Sequence, residues 1–260
     1  MGAVEDAVEA ALTVLSERPS ALVTDVDGTL SRIVARPVDA EVRETARASL
    51  RRLSGLLDLV AVITGREESV ARGMVGVDAL TYVGSYALDS QRGLTFEAVA
   101  PALALVEPLL MSLPCVEIER KDISFALHYR NCADAGRIGA ELVEMLQPIA
   151  MESGTKLLEG KQVVEVAPAA LPDKGTALTG LLLEHEIRGA VFVGDDLADA
   201  EAFGQLRNRR AEGRAPGLCI AVVDGETPAA VRNAADLEVN GVDDVERFLD
   251  LLAERLTALR

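Results

Sequence analysis

Residues 22–34, LVTDVDGTLSRIV, constrain the fold more than any other stretch of this chain. The apolar run 21–23 stops at Thr24, and Asp25, Asp27 and Gly28 follow. An apolar run that ends on acids and a glycine is the pattern of a buried parallel strand delivering carboxylates at its C-terminal edge. In open α/β sheets, ligands bind outside that edge. Gly28 permits a sharp turn of the backbone directly after the acids. Two acids so placed can divide a reaction, one attacking and the other handling protons.

The same punctuation recurs along the chain. Strands are predicted over 59–63, ending in Thr64-Gly65-Arg66, and over 80–83, followed by Gly84-Ser85-Tyr86. Later strands are predicted over 190–193, ending in Gly194-Asp195-Asp196, and over 218–223 and 237–239. Helices are predicted near the N-terminus and over 40–53, 67–74, 174–185, 199–206, 228–234 and 243–259. This order is α/β with a doubly wound, Rossmann-like parallel sheet. Between the two halves the texture changes. Strands are predicted over 95–99, 115–119, 124–130, 155–160 and 162–168, with helices over 101–113 and 134–150. Val116 and Ile118 alternate with Glu117 and Glu119, as in an antiparallel sheet with one covered face. A core of residues 1–90 and 173–260 with an inserted α+β domain of residues 91–172 is therefore expected, hinged near Gly93 and Pro172.

Charge narrows the partners. The chain carries 42 acidic against 26 basic residues, a net charge of −16. That balance argues against a nucleic-acid or anionic-membrane binder, which needs a basic surface. The N-terminal stretch 1–20 reads as an amphipathic helix, neither a signal peptide nor a membrane span. The three cysteines, Cys115, Cys132 and Cys219, form no metal pattern and no disulfide framework, so reduced thiols in a cytoplasmic protein are expected. The basic stretch 207–217 reads as a solvated loop. Oligomerisation is legible only as monomer or weak oligomer.

Three predicted strands of the core end in polar clusters, at Asp25 and Asp27, at Thr64, and at Asp195, Asp196 and Asp199. Lys174 opens a helix beside them. Parallel strands put these ends on one edge of the sheet, and several acids crowded there repel one another unless a cation intervenes. Carboxylates and a carbonyl suit Mg²⁺, a hard ion that prefers oxygen. A phosphate would complete its shell, with Thr64 and Lys174 on the phosphoryl oxygens.

These residues resemble the four ordered motifs of the haloacid-dehalogenase superfamily of Mg²⁺-dependent phosphatases: DVDGTL at 25–30, VITGR at 62–66, Lys174 before Gly175, and GDDLAD at 194–199. The resemblance implies that Asp25 is the nucleophile and Asp27 the general acid and base. It implies that Thr64 and Lys174 hold the phosphoryl group. Mg²⁺ would sit on Asp25, the main-chain oxygen of Asp27 and Asp195, supported by Asp196 or Asp199.

The insert is similar to the cap of trehalose-6-phosphate phosphatases, through ERKDISFALHYR at 119–130 and EGKQVVEVAP at 159–168. On that likeness Glu119, Lys121, His128, Arg130 and Glu165, with Arg66 of the core, are candidate substrate contacts. The implied protein is a phosphoric monoester hydrolase of trehalose biosynthesis, acting on a sugar phosphate and closing its cap over the substrate. Another sugar phosphate, a phosphomutase and a non-catalytic sugar-phosphate binder remain as alternatives. Two positions depart from the family pattern. Ser85-Tyr86-Ala87 stands for the usual Asn-His-Gly, and Ala198 for a Thr.

Overall fold

In the computed structural model, residues 2–84, 95–171 and 173–260 are described. Ser85-Tyr86-Ala87 and the expected hinge residues Gly93 and Pro172 lie outside them. The chain divides into two compact units, one of residues 1–87 with 172–260, the other of residues 88–171.

The first unit contains α1 (Ala3–Leu15), β1 (Ser20–Thr24), α2 (Glu44–Ser54), β2 (Leu59–Ile63), α3 (Glu68–Val75) and β3 (Thr81–Val83). The second unit contains α4 (Ala100–Leu109), β4 (Glu117–Arg120), β5 (Phe125–His128), α5 (Ala135–Ser153), β6 (Thr155–Gly160) and β7 (Val163–Pro168). The chain then returns to the first unit through α6 (Lys174–Glu184), β8 (Gly189–Gly194), α7 (Leu197–Ala211), β9 (Gly217–Val223), α8 (Ala229–Ala234), β10 (Leu237–Asn240) and α9 (Gly241–Ala258).

The first unit's parallel sheet has the order β10-β9-β8-β1-β2-β3. Its inner strands are apolar on both faces because both faces are covered. Leu22, Val60, Val62, Val191, Val193 and Ile220 meet α1, α2, α3 and α9. Ala21, Val23, Ala61, Ile63, Phe192 and Cys219 meet α6, α7 and α8. From β1 the chain winds outward through β2 and β3, and after the second unit it resumes at β8 on the other side of β1. The topological switch point therefore lies between β1 and β8, where a doubly wound sheet opens its ligand crevice.

The second unit is an antiparallel sheet of order β4-β5-β7-β6. Phe125, Leu127, Val164 and Val166 pack under Leu103 and Val106 of α4 and Ile138, Leu142 and Leu146 of α5. Side chains alternate across a strand. Register pairs Glu119 with Ala126, Ala126 with Glu165, and Glu117 with His128. Glu119, His128 and Glu165 thus share the face opposite these helices.

Four expectations are corrected. Residues 95–99 form no strand, and Phe96–Ala98 make a 3-10 turn whose following Val99 is buried against the helices. Residues 40–43 precede α2 rather than belonging to it. The stretch 207–217 is not all loop: α7 runs to Ala211, with Arg209 and Arg210 in its last turn, where cations favour the helix dipole. Arg209 donates to the Ile187 carbonyl, and Arg210 is paired with Asp236. Finally, Cys115 and Cys132 form a disulfide, with Cα atoms 5.2 Å apart, and Cys219 is free and buried. The bridge joins the segments just outside the paired ends of β4 and β5.

Candidate active site

Asp25 and Asp27 follow the end of β1, as the first motif predicts. Asp25 continues the sheet for one residue, its N–H donating to the Val193 carbonyl of β8 at 3.0 Å. The chain then turns back tightly, with the Gly28 N–H on the Ser31 carbonyl at 2.7 Å. Gly28 has φ +87°, and a Cβ there would lie 2.1 Å from Asp195 Oδ2. The residue is glycine for conformation and for space, since the Asp195 carboxylate sits where a side chain would be.

Asp195 and Asp196 follow β8, and Asp196 caps α7. Its side chain accepts from the Asp199 N–H at 2.9 Å, and the Asp199 carboxylate accepts from the N–H groups of Asp195 at 2.8 Å and Asp196 at 3.0 Å. This reciprocal capping box uses an aspartate at the third helical position. The other oxygen of Asp199 accepts from Lys174 Nζ at 2.7 Å. Asp199 is completely buried, its carboxylate holding Lys174 and two backbone N–H groups. Gly194 makes room for it, because a Cβ there would lie 2.2 Å from the Asp199 carboxylate carbon.

Lys174, the first residue of α6, is 1 % exposed. Its ammonium lies 2.9 Å from Asp25 Oδ1 and 3.6 Å from Asp196 Oδ1. A buried lysine needs such partners, and buried carboxylates need such a cation. The balance is nonetheless acidic. Burial pushes Asp25 up to about 7, against the pull of Lys174 and with the push of Asp196, Asp195 and Asp27. Burial, then Asp196, raises Asp199 well above the usual carboxylate range. Asp196 is held low: burial opposes this, but Lys174 and the Asp199 bonds outweigh it.

Oxygens of Asp25, Asp195 and Asp199 all lie within 4.8 Å of one another. These three buried carboxylates form an all-oxygen donor set, which fits a hard divalent cation. Since Asp199 is committed to Lys174 and two backbone N–H groups, Asp25 and Asp195 are the better direct donors.

Thr64 continues β2, donating its N–H to the Val83 carbonyl at 3.0 Å, and is buried. Its hydroxyl accepts from the Arg66 N–H at 3.2 Å and can still donate. The Arg66 guanidinium is on Asp27: Nε to Oδ2 at 2.6 Å and Nη2 to Oδ1 at 2.7 Å. Sequence reasoning had not paired these two residues.

In the second unit, Glu119 meets His128 Nε2 at 2.8 Å. Glu165 takes Lys121 Nζ at 2.7 Å on one oxygen and the Ser124 hydroxyl at 2.5 Å on the other. Ser124 was not anticipated. Only the register, which puts Glu165 opposite Ala126 of β5, brings it into view. Arg130 donates to the Lys161 carbonyl at the β6–β7 turn.

The first unit carries this acid–lysine centre at the C-terminal edge of its doubly wound sheet, and proteins of known structure share the fold. A haloacid dehalogenase-like hydrolase of Bacteroides thetaiotaomicron shares the fold, with TM-score 0.56 at 15% identity over 94% of this chain and 100% of that one. The profile of the trehalose-phosphatase family matches residues 23–243, so the chain belongs to that family. A trehalose-phosphate phosphatase of Mycobacterium avium is 30% identical over 255 residues, 92% of this chain and 64% of that protein. An uncharacterized glycosyl hydrolase of Mycobacterium tuberculosis is 31% identical over 211 residues, 74% of this chain but 16% of that protein. The chain thus spans less than two thirds of either relative. The C-terminal domain of Candida albicans trehalose-6-phosphate phosphatase has the same fold, with TM-score 0.80 at 21% identity over 95% of this chain and 96% of that one. Among the described residues no helix is long and apolar enough to cross a membrane.

Proposed function

We propose that this chain hydrolyses a sugar monophosphate, trehalose 6-phosphate before others, to the free sugar and inorganic phosphate. The observation that carries the reading is the buried Asp25 carboxylate, 2.9 Å from Lys174 and grouped with Asp195 and Asp199 at the switch point of the sheet. A binding module has no need of a buried carboxylate at the place where a phosphoryl group would be held. The trehalose-phosphate phosphatases among its relatives supply the substrate class.

In this reading the Asp25 carboxylate attacks phosphorus, and the bond to the sugar oxygen breaks as Asp27 protonates that oxygen. Water then gives its proton to Asp27 and attacks the aspartyl phosphate, releasing phosphate and restoring Asp25. Thr64 and Lys174 hold the phosphoryl oxygens, and Lys174 offsets the charge that gathers on them. Mg²⁺, held by Asp25, the Asp27 carbonyl and Asp195 with Asp196 and Asp199 in support, would supply further neutralisation there. The first unit, residues 1–90 and 173–260 as read from sequence, is the catalytic core. The inserted unit supplies specificity: Glu119, Lys121, His128, Arg130 and Glu165 offer donors and acceptors for sugar hydroxyls.

The test is Mg²⁺-dependent phosphate release from a panel of sugar phosphates by the purified chain and by Asp25→Asn. The variant should lose nearly all turnover and keep its fold. Wild-type rates in that variant would remove Asp25 as nucleophile.

A further inference from the structure

Among the described residues, Lys174 and Arg66 pair with different acids of this site. Lys174 takes Asp25, Asp196 and Asp199. Arg66 takes Asp27 with both arms of a bidentate fork, at 2.6 and 2.7 Å. Parallel N–H···O bonds of this kind fix the plane of a carboxylate as well as its place. The same Nη2 also donates to the Pro37 carbonyl at 3.2 Å. One side chain therefore ties the end of β2 to the acid after β1 and to the loop that leaves it. The Arg66 side chain is 17% exposed, the Asp27 side chain 38%. The more buried partner holds the more accessible one, which is the arrangement for presenting an acid rather than hiding it.

We infer that Arg66 is a positioning residue that acts on the reaction through Asp27, aiming its carboxylate, rather than a direct ligand of the substrate. This rests on the functional reading above and deepens it by assigning what orients the proton-handling group. A lysine cannot reproduce the effect, because its ammonium offers no planar fork. The chemistry gives a signature. An alkyl sugar leaving group needs protonation as its bond to phosphorus breaks, whereas p-nitrophenolate leaves without it. Losing the aim of Asp27 should therefore slow the first step for the sugar phosphate and spare it for p-nitrophenyl phosphate.

The experiment compares wild type, Arg66→Ala, Arg66→Lys, Asp27→Asn and the double variant Asp27→Asn/Arg66→Ala, each checked for fold by circular dichroism. For the sugar phosphate, kcat should fall about 10²-fold in Arg66→Ala with little change in KM, since a small misplacement of a reacting group costs that much. The rapid first release of p-nitrophenol should stay at the wild-type rate. Arg66→Lys should resemble Arg66→Ala, and added guanidinium ion should restore part of the rate to Arg66→Ala alone. The double variant should be no slower than Asp27→Asn, because residues acting as one unit do not add. A raised KM on both substrates with kcat intact, or losses that multiply in the double variant, would overturn the inference and leave the hydrolase reading standing. A wild-type chain inactive on every ester would overturn both.

Discussion

Gly28→Ala tests whether the turn after β1 and the acid after β8 are built as one object. The new methyl group meets two obstacles. At φ +87° an L-residue is strained, at about 1–2 kcal/mol for the left-handed conformation. The methyl carbon would also lie 2.1 Å from Asp195 Oδ2, 2.4 Å from its carboxyl carbon and 2.7 Å from Oδ1. Ordinary contact requires the carboxylate to retreat by more than an ångström. Asp195 is 1 % exposed and packed beside the Thr29 hydroxyl, so the retreat disturbs that packing and shifts the carboxylate within the acid cluster. The strain alone should lower the melting temperature by about 2–4 °C per kcal/mol for a unit of this size. Misplacement should lower turnover by about 10²-fold. The assay is a pair of thermal melts, with and without Mg²⁺, beside phosphate release. Wild type should melt higher with Mg²⁺, because a ligand of the folded state stabilises it. Gly28→Ala should lose most of that increment. A variant that melts slightly lower yet keeps the full Mg²⁺ increment and rate would show that Asp195 is not the donor this contact protects.

Three further outcomes are expected. Asp25 is raised from 3.8 to about 7, so the metal-free folded chain keeps a proton that the unfolded chain has released. Its contribution to stability is whole below about pH 4 and is lost as pH rises through about 7. Mg²⁺ needs the ionised group, so calorimetric affinity should fall up to about tenfold per unit below pH 7 and level off above it; a flat profile would count against the cluster as the metal site. The Cys115–Cys132 bridge closes a loop of 17 residues, so Cys115→Ser should destabilise the second unit by about 3 kcal/mol in urea unfolding. Thiol titration of the denatured chain should find Cys219 alone, and finding all three cysteines would remove the bridge. Glu165→Ala should raise KM for the sugar phosphate several-fold and leave p-nitrophenyl phosphate nearly unchanged; equal losses on both would make Glu165 a structural anchor for Lys121 and Ser124.

Much of the site's placement was legible because parallel strands obey one rule: their C-terminal ends share an edge. Asp25, Thr64 and Asp195 could be assigned to that edge from apolar runs alone. Pairing was not legible. Which cation meets which acid depends on side-chain directions that no spacing encodes, so Arg66 could be set beside the site but not upon Asp27. Asp199 shows the same limit. The motif marks it as an acid near the metal, while the capping geometry makes it the group that holds Lys174 and two backbone N–H groups. The cysteines escaped for a topological reason. Residues 115 and 132 become neighbours only once Glu117 is paired with His128. The run at 95–99 misled because five residues are too few to separate strand periodicity from the approach to a helix.

The strand order carries a consequence for biosynthesis. β1 is central in the finished sheet, but its two neighbours are made at very different times. β2 emerges soon after it, whereas β8 waits for the whole inserted unit to be synthesised. Until then a strand that ends fully buried has one row of unmet amide and carbonyl groups, a template for illicit pairing. A nascent chain halted just before residue 189 should be the form that chaperones hold and that aggregates first.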